Sequence, residues 1–231
     1  MAYVRWLGHS AFEVNIDGYR VLVDPWLSNP MSPVGPEEYR DNVDLIVVTH
    51  DHGDHLGEAI RLLRMNPRAV FAAVYEVANY VAEQVGASER IVGGNIGGPL
   101  RLPGIELKVM FFPATHSCSR GTPTGVLISG KEGSVYHAGD TGLVAEMALV
   151  GELYDVDVAL LPIGGHFTMD AYQAAKAAEM LRAKVAIPMH YNTFPVIRAD
   201  PAEFEKYVKE RGLGTRVVIL KPGEKFIFGK S

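Results

Sequence analysis

Cysteine is nearly missing from these 231 residues: there is one, Cys118. A single thiol excludes an internal disulfide framework and a cysteine-built structural zinc site, and it fits a reducing compartment. Long apolar runs are missing as well. No stretch approaches the roughly 18 residues that a bilayer span requires, and Met1-Ala2-Tyr3-Val4-Arg5-Trp6 lacks the basic stretch and apolar core of a secretory leader. Nor is there an excess of one charge: 22 basic residues face 27 acidic ones, a net charge of −5 spread without blocks. That balance gives no general electrostatic grip on nucleic acid, only room for a local basic patch. No linker, low-complexity tract or fixed-period repeat interrupts the chain. We expect one cytoplasmic domain over residues 1–231 with no membrane partner, built on an ordinary globular composition that is 48% hydrophobic and 21% charged.

The first forty residues read as short strands at 3–6, 11–16 and 20–23, with Asp17-Gly18 as a hairpin turn between the last two. Four prolines between Pro25 and Pro36 mark an irregular stretch long enough to act as a loop over a site. From Asp44 strands alternate with helices. The runs 45–48 and 156–161 read as strands buried on both faces, each leading into a histidine-bearing loop, a weak echo that suggests two related halves. Further strands are expected at 69–74, 105–112, 126–129, 134–137, 185–189, 216–220 and 226–228. Helices are expected at 56–65, at 77–85 with Gly86 as C-cap, from Asp170 to about 183, and from Pro201 onward.

The segment Thr49-His50-Asp51-His52-Gly53-Asp54-His55 puts three imidazoles and two carboxylates within six residues, directly after a buried strand. If strand geometry persists, alternation places His50 and His52 on one side, able to reach one ion, while Asp54 and His55 could face a second. A merely hydrophilic loop is a poor account of that density. Three more strand-like runs end at His116, Asp140 and His190. Together they offer five imidazoles and two carboxylates, enough for two divalent ions, and an aspartate can bridge two cations with its two oxygens.

The order His50-x-His52-x-Asp54-His55, His116, Asp140, His190 resembles the metallo-β-lactamase superfamily over essentially the whole chain. Leu7-Gly8-His9-Ser10, Gly164-Gly165-His166-Phe167-Thr168-Met169-Asp170 and Pro188-Met189-His190-Tyr191 are similar to its UPF0173 metal-dependent hydrolase group, related to L-ascorbate-6-phosphate lactonases. The resemblance implies an α/β (α+β) fold, a four-layer αββα sandwich with metals at one edge. It implies that His50, His52 and His116 hold one metal and Asp54, His55 and His190 the second, with Asp140 bridging. True β-lactamases and oxygen-reducing members differ at these positions, and RNA-processing members add a domain or arm for which there is no spare segment here.

Two cations sharing a water would supply a hydroxide nucleophile, with Asp54 orienting it and a proton for the leaving group coming from a metal-held water or from His9. The expected activity is hydrolysis of an ester, lactone or phosphoester, on a small-molecule substrate that is phosphorylated or not. The ions would be Zn2+ or Mn2+ foremost, with Fe2+ or Ni2+ as alternatives. A mononuclear iron dioxygenase and a metal-loaded binding or sensing protein are the rivals. His9, His137 and His166 are candidates for orienting metal ligands. Cys118 reads as a packed side chain, Arg120 as a solvated loop residue, and Gly93-Gly94 and Gly97-Gly98 carry no phosphate role. Oligomeric state has no signature, which leaves a homo-oligomer open.

Overall fold

A computed structural model describes residues 1–86, 88–212 and 214–229. The chain opens with β1 (Ala2–Trp6), β2 (Phe12–Ile16) and β3 (Tyr19–Val23), an antiparallel meander. Asp17 and Gly18 take φ of +52° and +83°, the pair of positive angles that the two-residue hairpin turn requires. The sheet continues in parallel through β4 (Leu45–Val47), β5 (Val70–Val74) and β6 (Ile91–Gly94), and β13 (Lys225–Phe228) closes its other edge against β1. The second sheet has the order β12 (Arg216–Val217), β11 (Val185–Met189), β10 (Val158–Pro162), β9 (Ser134–His137), β8 (Thr124–Ser129), β7 (Lys108–Pro113).

Alternation along the strands builds the layers. Leu45 and Val47 point into the apolar core between the sheets, while Ile46 and Val48 join the outer cluster with Leu62, Leu63, Val77 and Val81. Those outer partners lie on α2 (Ala59–Met65) and α3 (Tyr75–Val85). On the far side, α4 (Glu146–Leu153), α5 (Ala171–Met180) and α6 (Pro201–Glu210) cover the second sheet. The result is helix, sheet, sheet, helix, as expected. Among the described residues, no helix is long and apolar enough to cross a membrane.

The helix expected over 56–65 is broken. It forms as α1 (Gly53–Leu56) and α2, interrupted at Gly57, whose φ is +45°. A Cβ at Gly57 would sit 2.5 Å from the Trp26 Cα, so only glycine fits where the Pro25–Trp26 backbone passes this break. The strand expected over 216–220 is shorter, the helix from Asp170 ends earlier, and β6 and α4 were not anticipated. The caps agree with expectation. The Asp170 carboxylate accepts the Gln173 N–H at 2.8 Å, the Asp200 carboxylate accepts the Ala202 N–H at 2.9 Å, and Gly86 ends α3 at φ +71°.

What this topology positions is one edge. β1, β3 and β4 are mutually parallel in the first sheet, β7, β9 and β11 in the second. Their carboxyl ends emerge together, carrying His9, Asp24, His50, His116, Asp140 and His190.

Candidate metal centre

The ladder of β4 stops at Val47, so His50 and His52 meet through a turn and not by strand alternation. They meet nonetheless: His50 Nε2 lies 2.9 Å from His52 Nδ1, and the His116 ring stands 5.2 Å from both. Two ring nitrogens this close, neither aimed at a carboxylate, converge on a common point. His52, Asp54 and His55 then follow in quick succession because α1 starts at His52.

Asp54 and His55 face the other way, towards His190 and His9. Asp140 stands between the two sets. Its Oδ1 is 3.2 Å from His55 Nε2, and its Oδ2 is 3.1 Å from His190 Nε2 and 3.4 Å from His116 Nε2. Three overlapping donor groups arise: His50, His52, His116; His9, Asp54, His55, His190; and His50, His55, Asp140, with the ligand atoms of each group within 4.8 Å of one another. The structure thus brings together all seven residues expected to hold metal, and adds His9.

Two buried atoms test whether a cation fits. His55 Nε2 and Asp140 Oδ1 face each other at 3.2 Å, and among the described residues neither makes a well-aligned hydrogen bond. A neutral Nε2 there would set a buried lone pair against a carboxylate oxygen, which is costly; a proton, or a divalent ion with nitrogen and oxygen donors, satisfies both. Burial works against charge on His55, yet the Asp140 and Asp24 carboxylates hold its pKa well above the ordinary histidine value. Burial likewise opposes ionisation of Asp140, but His55 and His190 keep it well below the ordinary carboxylate range. The electrostatics of the site therefore call for positive charge beside these carboxylates.

Asp24 is the residue that the sequence reading missed. Fully buried at the end of β3, it accepts hydrogen bonds from His55 Nδ1–H at 2.6 Å, from the Thr49 hydroxyl at 2.7 Å and from the Thr49 N–H at 2.8 Å. The Thr49 hydroxyl in turn lies 3.1 Å from His50 Nδ1. One carboxylate thus fixes two imidazoles, leaving the Nε2 of each free to ligate. A signal was present: Val23-Asp24-Pro25 is a strand ending in a carboxylate, the same pattern that singled out Asp140.

The remaining histidines divide. His9, at φ +52°, is held by its carbonyl, which accepts the Trp6 indole N–H at 2.9 Å and the His190 N–H at 3.1 Å. Its Nε2–H donates to Asp54 at 3.1 Å, and its Nδ1 accepts from the Thr193 hydroxyl at 2.8 Å. Burial pushes its pKa down to about 4, against the opposing pull of Asp54. His137 is buried outside the donor groups: its Nε2–H donates to the Ser10 carbonyl at 2.8 Å, and its Nδ1 accepts the Gly139 N–H at 3.0 Å, which braces the turn before Asp140. His166 is exposed and packs edge-on against Phe167, outside the donor groups, so the echo between the two halves holds for the strands and not for their histidines.

Arg120 is not simply solvated. It pairs with Asp51 at 2.9 Å and lies over the Tyr80 ring, 4.0 Å from its centroid, while the Ser119 N–H donates to Asp51 at 2.8 Å. This strap ties the loop carrying His116 to the turn carrying His50 and His52. Half-buried Cys118 donates to the Gly121 carbonyl at 3.3 Å, inside its own loop.

Comparison with known proteins agrees with this geometry. A family profile described as "Beta-lactamase superfamily domain" matches residues 19–191. A "UPF0173 metal-dependent hydrolase" of Hyperthermus butylicus is 75% identical over 229 residues, covering 99% of this chain and 100% of the relative. One of Aeropyrum pernix is 56% identical over 239 residues, covering 99% and 98%. Among solved structures, "a novel metallo hydrolase" from the hyperthermophilic archaeon Ignicoccus hospitalis shares 46% identity and a TM-score of 0.90, covering 98% of this chain and 99% of that one.

Proposed function

The chain belongs to the UPF0173 metal-dependent hydrolases of the beta-lactamase superfamily, and from that premise we propose that it hydrolyses an ester, lactone or phosphoester at a centre of two divalent ions. Such ions supply Lewis acidity, bringing the pKa of a water towards neutrality and drawing charge from the scissile carbonyl or phosphoryl group. His50, His52 and His116 would hold one, Asp54, His55 and His190 the other, with Asp140 between them. Imidazole and carboxylate donors suit Zn2+ or Mn2+, and also Fe2+ or Ni2+.

The chain's own groups complete the reading. Burial opposes charge on Asp54, but the His9 hydrogen bond and the nearby His55 keep its carboxyl below the ordinary range. An ionised Asp54 can accept a hydrogen bond from the attacking water and orient it. His9, neutral near pH 7, donates its Nε2–H to Asp54 and accepts from the Thr193 hydroxyl, which holds the carboxylate in place. The observation that carries the proposal is the convergence of three donor groups on buried His55 Nε2 and Asp140 Oδ1, neither of which makes a well-aligned hydrogen bond among the described residues. Three overlapping groups favour two ions over one, and so a hydrolase over a mononuclear iron dioxygenase.

Elemental analysis of purified protein, followed by a panel of lactones, phosphodiesters and thioesters with Zn2+ and Mn2+, tests the proposal. His52→Ala and Asp54→Ala should each lose turnover and bound metal. Full turnover in both variants rejects the reading.

A further inference from the structure

One wall of the centre has no part in the chemistry above. Trp26 and Phe194 stack with ring centroids 5.9 Å apart and planes 24° apart, and both stand edge-on to His9, at 5.2 and 5.6 Å. Both rings are held. Beside Trp26, the Leu27 and Ser28 N–H groups donate to the Glu58 carboxylate at 2.5 and 3.2 Å, and the Glu58 N–H donates to the Pro25 carbonyl at 3.0 Å. Phe194 lies in a turn closed by the Ile197 N–H to the Phe194 carbonyl at 3.2 Å and the Asn192 N–H to the Ile197 carbonyl at 2.9 Å. A pair serving only to seal His9 would bury its outer surface. Phe194 is instead 36% exposed and Trp26 half-buried, so an apolar aromatic surface faces solvent beside the donor atoms.

A flat apolar group set over this pair meets hydrocarbon beside the donor atoms.

The geometry points to Trp26 and Phe194 as the specificity wall of this centre, and to a substrate that carries an aromatic ring or similarly flat apolar group beside the bond that is cleaved. This rests on the hydrolase reading for the reacting bond, but not for the binding of the apolar part.

The probes are phenylacetate and acetate, the acid products of matched methyl esters, titrated into metal-loaded protein and followed by tryptophan fluorescence. Trp6, the other tryptophan, is buried against Tyr191 and serves as the constant signal. Phenylacetate should bind about tenfold more tightly than acetate, as expected for one buried aromatic contact. It should quench emission that disappears in Trp26→Phe, and the preference should shrink to within about twofold in Phe194→Ala. Equal binding of the two acids, or a preference unchanged in Phe194→Ala, overturns the wall. Turnover of methyl phenylacetate and methyl acetate in the same samples separates the two readings. Preferential binding without hydrolysis leaves the wall and removes the hydrolase, and hydrolysis without preference does the reverse.

Discussion

The two halves of the centre are built differently. His9, His55 and His190 are fully buried, and their rings are fixed by neighbours from four segments: Asp24, Thr193, Asp54 and Asp140. In the other half only His50 is buried. His52 and His116 are partly exposed, and the loop that bears His116 is tied down by the Asp51–Arg120 pair, in which the Asp51 side chain is buried and the Arg120 side chain is 44% exposed. The deep half is organised by the fold itself, the outer half by a strap. Burial makes ligand orientation rigid and hydrogen bonds strong, whereas a pair with one partner open to solvent is partly screened. The outer half should therefore be the more exchangeable of the two.

The largest effect is expected where the halves join. Asp140→Ala should abolish turnover and lower bound metal by at least one ion per chain, measured by elemental analysis; wild-type metal content would break the bridging assignment. Next comes Asp24→Asn, which disturbs His55 directly and His50 through Thr49. Removing a carboxylate that orients metal ligands typically costs about 10–100-fold in metal affinity or activity, and here both halves should weaken together in a metal titration. Arg120→Ala should be selective. One ion should bind about tenfold more weakly, at the low end of that range, while the other keeps its affinity; equal loss at both would contradict the strap.

A separate effect, on stability and not on metal affinity, concerns pH. His9 has a folded pKa of about 4 against an ordinary value of 6.5, so between these values the unfolded chain binds more protons. Stability that is full above about pH 6.5 is then lost as pH falls towards 4, by about 3 kcal/mol for this group alone. Urea unfolding of metal-free protein should show that loss, reduced in His9→Gln. An unchanged pH dependence in the variant would remove His9 from the account.

Much of this centre is legible in the chain because its ligands cluster. Three histidines and two aspartates within six residues are a local signal, and His116, Asp140 and His190 share the mark of a strand ending in a donor. Asp24 carries the same mark but acts at one remove, by hydrogen bonds that only tertiary structure creates. Gly57 shows the converse. A helical pattern runs over 56–65, but Gly57 ends α1 at positive φ, and the close passage of the distant Pro25–Trp26 backbone leaves no room there for any side chain. Likewise Arg120 has a bland sequence context, and its partners Asp51 and Tyr80 lie 69 and 40 positions earlier. Position along the chain reveals donors; what fixes them is long-range.

Anomalous scattering from crystals of metal-loaded protein tests the central claim most directly. The account predicts two peaks, one among His50, His52 and His116 and one among Asp54, His55 and His190, with Asp140 contacting both. A single peak, or metal bound away from Asp140, would contradict it.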